Sequence, residues 1–224
     1  MHVQRIIIAS FLMQFVISCG GGPSFGVESE ISDQLSKLPG KIFLGFKTSK
    51  RSWNFSLDNG KLLEINAFPE QPNSVNVENF KIDNLPFESD MHYRGPYLVS
   101  ADKSLVVAGI EYKGANLYLS SDFIIADLKE KKILFKSKSK EPRIIEKIAW
   151  SPDSKYFAII QKSEKSLFSL KNILSSMVGH PVRSNIYYLK IYDRLGQIYG
   201  QSEIASGLIG SYVELLWSAK EKKL

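Results

Sequence analysis

Short apolar stretches separated by polar turns recur along most of the chain, the pattern of β-strands in a meander. The clearest is IAWSPDSKYFAII (148–160): an apolar strand, a sharp turn and a second apolar strand. FIIADLKEKKILF (123–135) and YYLKIYDRLGQIYG (187–200) share another order, apolar strand, Asp, polar turn, apolar strand. YVELLW (212–217) predicts a last strand close to the end of the sequence. Two stretches depart from this rhythm. IIIASFLMQFVIS (6–18) is an apolar run of thirteen residues, short of the roughly twenty that span a bilayer, and with Arg5 before it reads as an export signal. In KSLFSLKNILSSMVG (165–179), Leu167, Leu170, Ile173, Leu174 and Met177 fall at helical spacing with Gly179 as a stop, which predicts one inserted helix.

The strand–turn–strand module is repeated. WSPDSKYFAII from Trp150, VSADKSLVVAG from Val99 and FSLDNGKLLEI from Phe55 each run apolar residue, Ser, any residue, Asp, short link, apolar strand, and a degenerate copy starts at Leu216. Pro152 presets φ at the first corner, while Ser151 and Asp153 can accept hydrogen bonds from nearby backbone N–H groups. Ser56, Asp58, Ser100, Asp102, Ser151, Pro152 and Asp153 are therefore read as structural turn residues, not as ligands or catalytic acids. The landmarks keep their distance: Asp127 to Ser151 is 24 residues and Asp193 to Ser218 is 25, while Ser100 to Asp127 and Ser56 to Asp83 are both 27. Ser151 to Asp193 is 42, and the fifteen-residue helical stretch accounts for the excess. With it set aside, the Ser-to-Ser periods are 44, 51 and 52 residues, the spacing of four-stranded repeats in a β-propeller.

AWSPDS in particular resembles the WD40-like repeat of the TolB type, in which Ser-Pro-Asp-Gly joins two strands of a blade. Ser154 stands where that pattern has Gly, at a position that favours the left-handed region. The resemblance implies an all-β fold: a partial or open β-propeller of about three four-stranded blades over residues 41–224. The competing expectation is a sandwich or meander whose two sheets pack face to face. Three repeats are nearly complete, at about residues 41–87, 91–138 and 143–207, and the last has one strand. It could be finished by N-terminal residues such as Ile42 to Phe46, by another subunit, or by further blades missing from a shortened product; the third is the expectation here.

Composition locates the protein more than it describes it. A net charge of +6 is spread among acids and forms no stripe, so no nucleic-acid partner is expected. Cys19 is the only cysteine, which excludes an internal disulfide. It lies in Val16-Ile17-Ser18-Cys19-Gly20, which resembles the lipobox of bacterial lipoproteins. That resemblance implies cleavage before Cys19 and acyl chains on it, hence a membrane as partner. A plain secretory signal with an incidental Cys is the alternative. Residues 1–18 are then the signal peptide and 19–40 a lipidated tether, flexible at Gly20-Gly21-Gly22. Gly20 in the position after the Cys favours the outer membrane or cell surface, by analogy with the family, over the inner membrane.

Groups for chemistry are sparse. His2, His92 and His180 have no ligand spacing and no Cys partner, so neither metal nor other cofactor is expected. Gly22-Pro23-Ser24-Phe25-Gly26 matches the form G-x-S-x-G, yet follows no strand, as a nucleophile elbow must. The carboxylates of residues 27–30 read as a solvated cluster, and Tyr187, Tyr188, Tyr192 and Tyr199 as cross-strand and core packing. The expectation is a non-enzymatic, lipid-anchored envelope protein whose repeats, or whose inserted helix, contact a protein partner. The alternatives are the propeller portion of a larger or split serine-peptidase-like protein, because propellers of this type also precede such domains, and a truncated product without function.

Overall fold

The computed structural model describes residues 23–27, 36–58, 61–70, 85–86, 91–112, 122–139, 143–165, 184–208 and 211–219. Within them the chain is all-β, with no helix. Cys19, the signal segment, Asp83, His180 and the expected helix lie outside these residues, except that Lys165 ends a strand. The strands are β1 (Ser24–Phe25), β2 (Lys41–Lys47), β3 (Ser52–Asp58), β4 (Lys61–Glu64), β5 (Met91–Val99), β6 (Leu105–Tyr112), β7 (Asp122–Asp127), β8 (Lys132–Lys136), β9 (Ile144–Trp150), β10 (Tyr156–Lys165), β11 (Ser184–Asp193), β12 (Ile198–Leu208) and β13 (Tyr212–Ser218). They form three antiparallel sheets: a first of order β13-β2-β3-β4, a second of order β5-β6-β7-β8, and a third of order β9-β10-β11-β12-β1.

Periodicity in the sequence decides the layering. β6 and β7, LVVAGIEY and DFIIAD, are apolar on both faces, as a strand covered on two sides must be. One face, with Val107, Phe123 and Ile125, packs on Ile148, Trp150, Phe157 and Ile159 of the third sheet. The other face gathers Val106, Ala108, Ile110, Ile124 and Ala126 with Leu85. On its far side the third sheet lays Ala158, Ile160, Tyr187, Leu189 and Ile204 against Leu44, Phe46, Phe55, Val213, Leu215 and Trp217 of the first. The third sheet therefore stands between the other two, and its edge strand β9 touches both β5 and β13. Each fully buried Leu, Ile or Phe contributes roughly 1.5–3 kcal/mol, so these two interfaces carry most of the stabilisation that joins the sheets.

The last strand is completed by the first part of the fold. β13 pairs with β2 along its length, Val213 opposite Phe46, Leu215 opposite Leu44 and Trp217 opposite Ile42. Of the three ways of finishing the final sheet, the chain uses its own N-terminal strand, and the apolar Val213, Leu215 and Trp217 are buried there. This corrects the preference for missing blades as the explanation of an unpartnered last strand.

Register also corrects the repeat count. Ser100 lies between β5 and β6, and Ser151 between β9 and β10, each joining the first and second strands of a sheet. Ser56 lies inside β3, the third strand of its sheet, and makes no such turn. The place equivalent to Ser100 and Ser151 in the first sheet is Ser218, opposite Lys41, where two distant parts of the chain meet without a covalent turn. Asp58, at the end of β3, matches Asp127 at the end of β7 and Asp193 at the end of β11. F-S-x-D fits both landmarks by composition, and the short 44-residue period came from placing it at the wrong one.

Two further expectations change. Residues 24–25 and 36–40 are not tether: Ser24 and Phe25 pair with Ser206 and Ala205 of β12, Leu38 is buried in the core, and Gly40 closes on Ser218. The fifteen extra residues between Ser151 and Asp193 do not all belong to an insertion. β10 and β11 make ten pairs against six for β6 and β7, so eight of the fifteen lengthen the hairpin. Residues 166–183 join its end, where Lys165 stands opposite Ser184.

Candidate functional site

The Ser-x-Asp turns are built by the same bonds twice. Ser100 Oγ donates to Asp102 Oδ1 at 2.6 Å and accepts from the Leu105 N–H at 3.0 Å. Ser151 Oγ donates to Asp153 Oδ1 at 2.7 Å and accepts from the Tyr156 N–H at 2.9 Å. Both serines are buried. Burial raises the Asp102 pKa, but hydrogen bonds from the Ser100 and Ser104 hydroxyls and the Ser104 N–H, with the Arg194 charge, hold it below its ordinary value overall. The two turns also touch: the Asp102 N–H donates to Ser154 Oγ at 3.1 Å. Ser154 has φ 57°, so its hydroxyl offsets the left-handed strain that Gly would avoid. These groups are engaged with one another in a structural joint between the second and third sheets.

The Asp127 and Asp193 turns are a second matched pair. Asp127 Oδ1 accepts from Lys129 and Glu130 N–H, both at 2.8 Å, and Asp193 Oδ1 from Leu195 and Gln197 N–H at 2.9 and 2.8 Å. In the latter turn Gly196, at φ 85°, lies flat on the Phe135 ring of β8; a Cβ there would come 2.5 Å from the ring.

The four tyrosines divide by position. Tyr187 is fully buried, its hydroxyl 2.7 Å from Ser211 Oγ, and burial raises its pKa. Tyr192 stacks on Phe157 at 5.3 Å between centroids, and burial pushes its pKa up to about 12. Tyr188 lies under the Arg143 guanidinium at 3.8 Å, and Tyr199 meets Tyr156 edge-on at 5.3 Å. Among the described residues no three His, Cys, Asp or Glu side chains assemble in a way that could hold a metal. His92 falls on β5. No described helix is long and apolar enough to cross a membrane.

A different region is organised around β1. Ser24 Oγ lies 2.7 Å from Ser206 Oγ, so the G-x-S-x-G serine sits on a sheet edge. Phe25 inserts among Phe46, Trp53 and Phe55 with centroids 5.4, 5.6 and 4.7 Å away. A shallow open groove of about 430 Å³ runs beside it, lined by residues 24–27 and 203–205. Phe46 and Trp53 are the last apolar pair before the β2–β3 hairpin. Its turn is closed by the Thr48 N–H to Arg51 carbonyl bond at 2.8 Å, and by Thr48 Oγ1 accepting from the Arg51 N–H at 3.1 Å. Lys47, Lys50 and Arg51 are exposed there, and Tyr212, 78% exposed, is the cross-strand partner of Lys47. Nothing in the spacing of these residues singled them out: β1 is two residues long, and Phe25 joins it to the hairpin by packing on Phe46 and Trp53.

Neither a protein-family model nor a curated protein matches the chain.

Proposed function

We propose that the protein is a lipid-anchored envelope protein, held to a membrane through acyl chains on Cys19, whose three sheets are propeller-like blades serving as a non-catalytic interaction scaffold. The observation that carries the scaffold reading is the equivalence of the Ser100 and Ser151 turns, bonded alike and linked directly through Ser154. Edge strands β5, β9 and β13 open their sheets, and β9 lies beside each of the other two, as the inner strands of successive blades do. The pairing of β13 with β2 then acts as a clasp that ties the last strand of the chain into the first sheet. Acidic and hydroxyl side chains that sequence patterns bring to attention are used in turns and sheet joints, which supports a binding over a catalytic role. At the end of the sheets bearing the Ser-x-Asp turns, Leu195 and Ile198 are exposed and offer apolar contact to a protein partner.

Fractionation tests the reading. The wild-type chain should remain with membranes through high-salt washing and leave with detergent, while Cys19→Ala should appear in the soluble fraction. Amine cross-linking of the anchored chain should give a discrete larger species that disappears when Leu195 and Ile198 are changed to Asp. A Cys19→Ala chain that stays with the membrane overturns the anchor. A cross-linking pattern identical in the Asp variant overturns the contact surface.

A further inference from the structure

We infer that the β2–β3 hairpin end of the first sheet, with Lys47, Lys50, Arg51 and Tyr212, lies against a bilayer and contacts anionic phospholipid headgroups. The inference rests on the proposed acylation of Cys19 and adds which side of the protein meets the lipid.

Chain length gives the first constraint. Cys19 lies five positions before Ser24, and at no more than about 3.6 Å per step the lipidated residue stays within roughly 18 Å of β1. Pairing direction gives the second. With Ser24 opposite Ser206 and Phe25 opposite Ala205, the first residue of β1 faces the Gly207–Leu208 end of β12. That is the end of the third sheet from which the chain continues to Ser211 and Tyr212. Phe25 packs on Phe46 and Trp53, each one residue from the paired Lys47 and Ser52 that open the hairpin turn. Anchor exit, hairpin and Tyr212 are therefore at one end of the molecule.

Charge is concentrated in the hairpin. The sequence Lys47-Thr48-Ser49-Lys50-Arg51-Ser52 carries three cations and no acid. Deeper in the same half of the molecule Lys162 is matched by Glu146 at 2.8 Å, and at the opposite end Lys41 pairs with Asp58 at 3.7 Å and Lys155 with Asp153 at 3.9 Å. Clustered Lys and Arg beside a membrane are drawn to anionic headgroups, and an exposed Tyr suits the interfacial layer where its ring and hydroxyl find different surroundings. The Thr48 bonds hold the turn in one shape, so its cations are presented together. Each basic residue near an anionic surface strengthens partitioning about fivefold, and three on the order of 100-fold, an attraction weakened by salt.

Amine acetylation of the full chain in vesicles, read by mass spectrometry, tests the orientation. In vesicles containing phosphatidylglycerol, Lys47 and Lys50 should react at least about threefold more slowly than in phosphatidylcholine, with Lys129 and Lys132 unchanged as internal controls. A chain carrying Lys47→Gln, Lys50→Gln and Arg51→Gln should lose on the order of 100-fold in salt-sensitive partitioning to the acidic vesicles, with its thermal unfolding unchanged. Equal reactivity of Lys47 and Lys50 in the two lipids, on a chain whose intact mass shows acylation, overturns the orientation and leaves the anchor standing. Intact mass without acyl groups overturns the anchor instead. For that unacylated chain, co-sedimentation with acidic vesicles that is lost in the triple variant supports the headgroup surface, and no co-sedimentation overturns it.

Discussion

Replacing Trp217 by Ala should open the clasp between the last strand and the first sheet. Trp217 is 6% exposed and packs in the core shared by the first and third sheets. Its indole N–H donates to the Pro39 carbonyl at 2.6 Å. An indole burying about 200 Å² contributes on the order of 5 kcal/mol at about 25 cal/mol per Å², reduced to about 3–4 by residual burial in the unfolded chain. Large-to-small changes at such sites cost about 3–5 kcal/mol. The Pro39 carbonyl, left without its donor, adds about 1 kcal/mol. Trp217→Phe keeps most of the apolar area and loses the bond, so it should cost only about 1–2 kcal/mol. Urea unfolding gives these differences, and hydrogen exchange shows where they act: in Trp217→Ala the amides of β2 and β13 should lose protection together, ahead of β6 and β7. A loss of less than about 1 kcal/mol, or exchange in which β13 opens while β2 keeps its full protection, would refute the claim that the two strands stabilise each other.

Three other outcomes follow from particular contacts. Ser154→Ala keeps the left-handed φ and removes the bond to the Asp102 N–H, and should cost about 1–3 kcal/mol in urea unfolding; Ser154→Gly, which relieves the strain, should be about 1 kcal/mol more stable than the Ala variant. Gly196→Ala forces a Cβ into the Phe135 ring at φ 85° and should lower the melting temperature by several degrees, for a cost of about 1–3 kcal/mol. Burial raises the Asp122 pKa above 3.8 despite hydrogen bonds from the Ser139 N–H and the Ser137 hydroxyl. The folded state thus binds that proton more tightly than the unfolded one, so this contribution to stability is fully present below the unfolded pKa and is lost as pH rises through the raised folded value. Asp122→Asn should gain stability relative to wild type between about pH 4 and neutrality, measured by melting curves at each pH; a constant difference would refute the assignment.

The sequence made the strands and two turn networks legible because they rest on local chemistry. Ser151, Asp153 and the apolar residues on each side specify a turn without help from elsewhere, and Asp127 and Asp193 do the same for a different turn. Ser56 shows the limit of that reasoning, since Phe-Ser-x-Asp fits either landmark and only pairing of β3 with β2 tells them apart. Pairing of Leu215 with Leu44, across most of the chain, leaves no local signature, so an unpartnered β13 invited the thought of missing blades. Phe25 looked like tether because a two-residue strand has no period. The reason for Ser154 in place of Gly became visible only when the neighbouring turn supplied an N–H for its hydroxyl. Lys47, Lys50 and Arg51 were unremarkable in a chain with many scattered cations, and became a candidate surface once Phe25 brought the approach to Cys19 beside them.

Intact mass spectrometry of the membrane fraction, wild type against Cys19→Ala, tests the central claim of a lipid-anchored scaffold most directly. The account predicts a wild-type chain that begins at Cys19 and carries a mass increment of two or three acyl chains, and a variant without that increment. Identical spectra for the two proteins, with residues 1–18 still attached, would contradict it.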